Sequence, residues 1–307
     1  MIRALIQRLL WSFATLLGTA ILTFALVRVV PGDPARAIAG TKATPELVLR
    51  IRKDLGLDAP LPVQLGEHLL RIARGDLGTS YVTQEPVLPA LLRRLPVTAA
   101  VAGTATFLWL LISIPLGLLS ATRPGTLVDR VILVGSAICI SLPAFWVARM
   151  LQYTLAYRAG WFPVGGMGSL AHLFLPALSL AILASGYYAR LVHTQMVEIL
   201  SSPYIRAARA RGLGEFSILV RHGLRNALIP LVTILGMDVA QLLGGVLFVE
   251  NVFAIPGIGT LAVQAIGALD IPVIMGTVLF SAFLVVSANL VVDIAYRWMD
   301  PRIRSTT

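Results

Sequence analysis

Charge is the scarcest ingredient of this 307-residue chain: Asp, Glu, Lys and Arg make up 13% of it, against 57% apolar residues. A soluble domain carries roughly twice that charged share, so too few charged side chains are present to cover a water-exposed surface. Cysteine is nearly absent. Cys139 stands alone inside an apolar run, which excludes an intrachain disulfide and with it a disulfide-stapled scaffold. Lysine is almost as rare: Lys42 follows Thr41 and Lys53 follows Arg52, so neither closes the Gly-Lys-Ser/Thr of a phosphate-binding loop. The histidines, His68, His172, His193 and His222, contain no i,i+4 pair, so the helical zinc-protease motif is missing. No Gly-X-Ser-X-Gly occurs, and the one Gly-X-Ser is Gly78-Thr79-Ser80. The residues offer no catalytic set and no metal set.

What is present is length without charge. Arg8 and Arg28 enclose 19 uncharged residues, Arg94 and Arg123 enclose 28, Arg130 and Arg149 enclose 18, and Arg158 and Arg190 enclose 31. The run 227–249 is interrupted only by Asp238, and Asp270 and Asp293 enclose 22 more. A helix needs about 20 apolar residues to cross the hydrocarbon core. Six spanning helices follow, over 9–30, 97–121, 131–157, 172–194, 227–250 and 272–296. The runs are continuously apolar rather than alternating, and an open sheet cannot satisfy its backbone in lipid, so strands are excluded.

The net charge of +10 superficially suggests nucleic-acid binding, but its distribution gives another reading. The N-terminus, 122–130, 190–226 and the C-terminus share thirteen Lys/Arg and four acids, a net of +9, whereas 31–96 has nine basic and seven acidic residues. The positive-inside rule puts both termini in the cytoplasm. The first span resembles a signal peptide with Arg3 and Arg8 ahead of it. Its uncharged run exceeds a normal h-region, and Phe24-Ala25-Leu26-Val27-Arg28 is a poor cleavage site, so it is read as retained. The organisation expected is 1–30, cytoplasmic N-terminus and first span; 31–96, extracytoplasmic; 97–296, a five-helix core including the cytoplasmic loop 195–226; and 297–307, a cytoplasmic tail.

Within 31–96, Pro31-Gly32-Asp33-Pro34 ends the first helix. Thr44-Pro45-Glu46 opens a short helix closed by Gly56, and 62–74 is a second, stopped by Gly75. Residues 86–94 form an amphipathic lead-in to the second span. The segment is a lid packed on the membrane domain or, alternatively, a docking platform for a substrate-delivering partner.

The loop 195–226 is the most informative stretch. Ser201-Ser202-Pro203 starts a helix with a cap and a proline at its first position. Ala207, Ala208 and Ala210, ahead of a break at Gly212, permit close approach of another surface, with arginines as charged donors at its edge. Glu215 to Leu224 is read as a second helix. The stretch from Pro203 to Leu213, followed by Arg221-His222-Gly223-Leu224-Arg225-Asn226-Ala227-Leu228-Ile229-Pro230, resembles the EAA loop of binding-protein-dependent ABC importer permeases of the oligopeptide/dipeptide/nickel branch. The resemblance continues through Pro31-Gly32-Asp33-Pro34, Leu55-Gly56-Leu57-Asp58 with Pro60-Leu61, and Gly75-Asp76-Leu77-Gly78-Thr79-Ser80. It extends to Leu142-Pro143-Ala144-Phe145-Trp146, Leu243-Gly244-Gly245, Glu250-Asn251-Val252-Phe253 with Pro256-Gly257-Ile258-Gly259, and Asp300-Pro301-Arg302-Ile303-Arg304. Arg206 stands where the general pattern has Glu, so an acidic contact there does not carry over.

The resemblance implies an all-α integral membrane protein of the bacterial inner membrane with the type I ABC importer permease fold. It implies a homologous second permease, two cytoplasmic ATPases that carry the ATP and Mg, an extracytoplasmic substrate-binding protein, and surrounding lipid, with no nucleic acid and no cofactor in this chain. Peptide is the expected cargo, nickel or glutathione the alternative. Tyr204, Arg206, Ala207, Ala208, Arg209, Ala210, Arg211, Gly212 and Leu213 are the coupling residues it implies, and Glu250, Phe253, Pro256 and Gly257 its gate residues.

Five further residues stand out on physical grounds. Asp238, with Gln241 on the same face, is an acid in mid-span: it lines the pathway or makes a helix–helix hydrogen bond. Arg149, in the outer half of its span, snorkels to the interface or attracts a substrate carboxylate. Pro143 and Pro176 are kink candidates. The competing classes are a membrane-embedded enzyme and a secondary transporter, the latter usually built from internal repeats with matching broken helices.

Overall fold

The computed structural model describes residues 2–29, 35, 44–54, 58–243 and 246–299. The Pro31-Gly32-Asp33-Pro34 stop, the Leu55-Gly56-Leu57 turn, Gly244-Gly245 and residues 300–307 lie outside the described residues. Among the described residues the one β feature is an isolated bridge between Thr79 and Pro86. The helices are α1 (Ile2–Val29), α2 (Pro45–Asp54), α3 (Leu61–Ala73), α4 (Val87–Thr122), α5 (Leu127–Ser141) and α6 (Ala144–Leu151). They continue as α7 (Leu170–Leu200), α8 (Pro203–Ala210), α9 (Glu215–Ser217), α10 (Arg225–Leu243), α11 (Leu247–Val252), α12 (Ile258–Ala268) and α13 (Ile271–Met299).

Four helices contain runs long and apolar enough to cross a membrane: Ile6–Leu26, Val87–Thr122, Leu170–Leu200 and Ile271–Val292. There are six if Leu127–Ser141 with Ala144–Arg158, and Glu215–Leu228 with Pro230–Leu243, each form one bent span. Polar residues in α1 satisfy themselves locally. The hydroxyls of Thr15, Thr19 and Thr23 donate to the carbonyls of Trp11, Thr15 and Thr19 at 2.8–2.9 Å, so these three are not offered to lipid without a partner.

The third expected span departs from a single helix over 131–157. It breaks into α5 and α6, bent by 102°. Leu142-Pro143 is the cause: a residue before proline is driven out of the helical region, and Leu142 adopts φ −81°, ψ 136°. Pro143 then starts α6 as its N-cap, and the helix passes into π-helical turns over Gln152–Arg158. Pro176, by contrast, lies inside the unbroken α7. The second helix expected over 215–224 is also different. The single turn α9 widens into π-helix over Ile218–Leu224 and runs directly into α10.

The chain forms two compact units. One comprises 1–98, 243–247 and 256–307; the other comprises 99–242 and 248–255. In the first, Val87 and Leu91 of α4 pack with Ile258 and Ala265 of α12 and with Val273 and Phe280 of α13. In the second, Trp109 and Ala121 of α4, Ala181, Tyr188, Val192 and Met196 of α7, and Ala227 and Leu231 of α10 form the core. Gly186 lets α7 approach α5 closely, because a Cβ there would lie 2.5 Å from the Ser136 carbonyl oxygen. Close backbone approach through small residues is how helices associate where lipid removes the hydrophobic drive between them.

Candidate functional site

The loop after α7 is built as a small exposed platform. Ser202 is extended (ψ 152°), Pro203 supplies a preset φ, and α8 follows. Ile205 is its buried foot, while Tyr204, Arg206, Ala207, Arg209 and Ala210 are exposed and Ala208 is half-buried. At Gly212 the chain turns with φ +77°, a conformation that costs an L-residue about 1–2 kcal/mol, and its N–H donates to the Arg209 carbonyl at 2.9 Å. Arg209 spans the turn, giving Glu215 two hydrogen bonds of 2.8 and 3.2 Å. That pairing holds the Glu215 carboxyl below the usual range, so the bridge is present at neutral pH and is lost as pH falls through the lowered value. The Tyr204 hydroxyl accepts from Asn226 Nδ2 at 3.1 Å. Arg206, Arg209, Arg211, Arg221 and Arg225 are all exposed, and beside them Leu213 is 41% and Phe216 80% exposed. Apolar side chains rimmed by arginines have the composition of a docking surface.

Asp238 is half-buried on α10, with Gln241 exposed on the next turn. Its Oδ2 accepts a 2.7 Å hydrogen bond from the Tyr188 hydroxyl of α7. Tyr188 is buried and stacked on Trp109 with ring centroids 5.5 Å apart, and Tyr187 meets it edge-on at 5.5 Å. Sequence reasoning passed over Tyr188. The signal was present: a tyrosine in mid-span needs a partner for its hydroxyl, and the span five acid is a natural one.

Arg149 is exposed and donates from Nη1 to Gln152 Oε1 at 2.8 Å. Gln152 in turn donates to the carbonyls of Val164 and Val252, at 2.7 and 2.9 Å. One amide therefore links Arg149, the 159–169 loop and the turn after α11. In that turn Phe253 is buried, its carbonyl accepts from the Gly166 N–H at 2.8 Å, and Glu250 is fully buried. Pro256 and Gly257 belong to the other unit, where Gly257 is the N-cap of α12 and the next residue, Ile258, donates its N–H to Thr98 Oγ1 at 2.9 Å.

Two polar clusters had no counterpart in the sequence reading. Asp270, between α12 and α13, is buried: Oδ2 accepts from the Ser80 hydroxyl, and Oδ1 accepts from the Tyr81 N–H at 3.0 Å. At the far end of α4, the Ser120 hydroxyl donates to Asp129, which also accepts from the Gly125 N–H at 2.8 Å. The Ser120 hydroxyl, then the Gly125 amide, hold the Asp129 carboxyl below its usual range. His193 Nδ1 lies 2.9 Å from Ser120 Oγ and 3.5 Å from Asp129 Oδ1. Serine, histidine and aspartate thus meet, but serine and aspartate share one edge of the imidazole. A nucleophilic triad needs them on opposite nitrogens.

Spanning helices joined by an exposed helix–glycine–helix platform define a polytopic α-helical membrane protein with an exposed loop outside its spans. Comparison with known proteins specifies which. Residues 113–305 match the family model of the binding-protein-dependent transport system inner membrane component, and residues 1–102 match the model of the N-terminal part of such membrane components. The chain belongs to this family, the membrane-embedded permeases of ABC importers, and is an integral protein of the inner membrane. It is 41% identical over 308 residues to a peptide transport system permease protein of Brucella abortus, covering 98% of each chain. It is 38% identical over 304 residues to the glutathione transport system permease protein GsiC of Salmonella choleraesuis, covering 99% of each. Among solved structures, the inward-facing MetNI methionine ABC transporter matches with a TM-score of 0.57 at 24% identity, over 70% of this chain and 99% of that one. That likeness establishes the fold.

Proposed function

We propose that this chain forms one half of the pathway of an ATP-driven importer of short peptides. It pairs with a homologous permease, its termini face the cytoplasm, and two cytoplasmic ATPases with their ATP and Mg drive the cycle. An extracytoplasmic binding protein delivers the cargo. The observation that carries this reading is the exposed platform 203–213. Its alanine face, its arginines and Phe216 suit a protein groove, and α7 leads from it straight into the Tyr188–Asp238 layer. Closure of the ATPases would move α8, and the buried Ile205 would pass that motion to the bundle. Asp238 and Gln241 line the pathway, with Arg149, Glu250 and Phe253 of one unit and Pro256 and Gly257 of the other each serving as gate residues.

Peptide is supported by the Brucella relative's name, and glutathione, itself a tripeptide, by the Salmonella relative's. Among the described residues no group of three or more His, Cys, Asp or Glu is placed to hold a metal ion such as nickel. The test is reconstitution of the complex in proteoliposomes with its binding protein. ATP-dependent accumulation of a labelled dipeptide or tripeptide is expected; ATP hydrolysis without accumulation of any peptide would refute the assignment.

A further inference from the structure

A carboxylate in a membrane span is costly and ordinarily faces a partner that compensates its charge. Asp238 has a hydroxyl partner, Tyr188, which orients the carboxylate and leaves its charge in place. Ion pairs seen among the described residues, such as Arg93–Glu85, His193–Asp129 and Arg209–Glu215, do not include it. The surroundings are prepared rather than incidental. Tyr188 is 1% exposed and fixed by its stack on Trp109, so Oδ2 is committed and the half-buried carboxylate is held in one orientation. Tyr187, 46% exposed, stands edge-on to Tyr188 and adds a second aromatic ring to the same layer. A half-buried carboxylate with one oxygen free and no countercharge is a setting for a cation.

The geometry also selects among cations. A guanidinium binds best by two parallel hydrogen bonds to both carboxylate oxygens, and here the Tyr188 hydroxyl already fills one acceptor site on Oδ2 and competes for that geometry. A divalent metal needs several ligands, and no second acid or histidine joins Asp238 in a metal-capable group among the described residues. A primary ammonium needs one free oxygen and leaves its other donors for water or for the exposed Gln241. We infer that Asp238, oriented by Tyr188, is a cation site in the pathway that takes the protonated α-amino group of the transported peptide. This inference rests on the peptide-importer reading above. It also gives that reading a means of sequence tolerance, since every unblocked peptide carries this ammonium whatever its side chains.

The test is ligand-observed saturation-transfer NMR on the purified complex without binding protein, using Ala-Phe and N-acetyl-Ala-Phe. The free peptide is expected to bind wild type at least about tenfold more tightly than the acetylated one, the scale of one charge-assisted hydrogen bond. In Asp238→Asn, which keeps the shape, the two should bind alike; in Asp238→Glu the preference should return; in Tyr188→Phe it should shrink. Equal binding of the two peptides to wild type, persistence of the preference in Asp238→Asn, or no binding of Ala-Phe to wild type would each overturn the site. Loss of the second permease from Asp238→Asn preparations would also overturn it, by assigning the carboxylate to subunit pairing. The broader reading fails separately: if wild-type proteoliposomes accumulate Ala-Phe with ATP but show no such preference, only the cation site is wrong.

Discussion

Gly212→Pro is expected to reduce ATP-dependent uptake at least about a hundredfold while leaving membrane insertion and protein level unchanged. Proline fixes φ near −65° and has no N–H, and placing it where it breaks a backbone hydrogen bond and clashes costs about 3 kcal/mol or more. Gly212 has φ +77°, and its N–H bonds the Arg209 carbonyl, so proline violates both. The damage is confined to the turn that sets α8 against Glu215 and Phe216, outside the apolar spans. Gly212→Ala separates turn conformation from bulk. An added Cβ meets no atom within 4 Å, so alanine incurs only the left-handed cost of about 1–2 kcal/mol and should retain most of the uptake. Uptake by right-side-out vesicles, normalised to inserted protein, measures both. Full activity in the proline variant would separate the 203–213 platform from coupling.

The second large effect is expected at Asp270. Its carboxylate gathers the Ser80 hydroxyl and the Tyr81 N–H, with the Val82 N–H further off at 3.4 Å, joining a loop to a helix start 190 residues later. It follows Leu269, which sits at φ 53° and closes α12 in a left-handed conformation. Asp270→Ala removes the acceptor and strands these donors, a loss of about 3 kcal/mol if each buried orphan costs about 1–3 kcal/mol. A lowered melting temperature in detergent and faster proteolysis within 74–86 are expected. Asp270→Asn, which keeps an oxygen for the Tyr81 amide, should lie between. Unchanged melting in Asp270→Ala would mean that the loop is held by other contacts.

The spans could be located from charge spacing because lipid requires long uninterrupted apolar helices, and that requirement is written locally in the sequence. The helix–glycine–helix geometry of 203–213 was legible for a similar reason: N1 proline, alanines and Gly212 are adjacent in the chain. Proline marked the site of the break at 142–143 but not its size, since a Leu-Pro step ends a helix without stating where the next one points. The bonds from Ser80 to Asp270, Tyr188 to Asp238, and Gln152 to Val252 join residues far apart in sequence, where no periodicity brings the partners together. Arg149 shows the limit most clearly. Its position in an apolar run suggested an interface or a substrate carboxylate but gave no sign of its bond to Gln152, one turn along its own helix. The widening into π-helix over Ile218–Leu224 had no sequence signature either, and it makes the second half of the loop continuous with α10.

The central claim is that the exposed platform around α8 is where partner ATPases drive this subunit. Its most direct test uses the chain's single cysteine to advantage: Ala207→Cys in a Cys139→Ser background carries one thiol, on the exposed face of α8. After labelling with a photoactivatable maleimide in the assembled complex, cross-linking is expected to join this chain to an ATPase subunit, with a yield that changes when ATP binds. Cross-linking from this position to lipid or to the second permease, with none to an ATPase under either condition, would contradict the account.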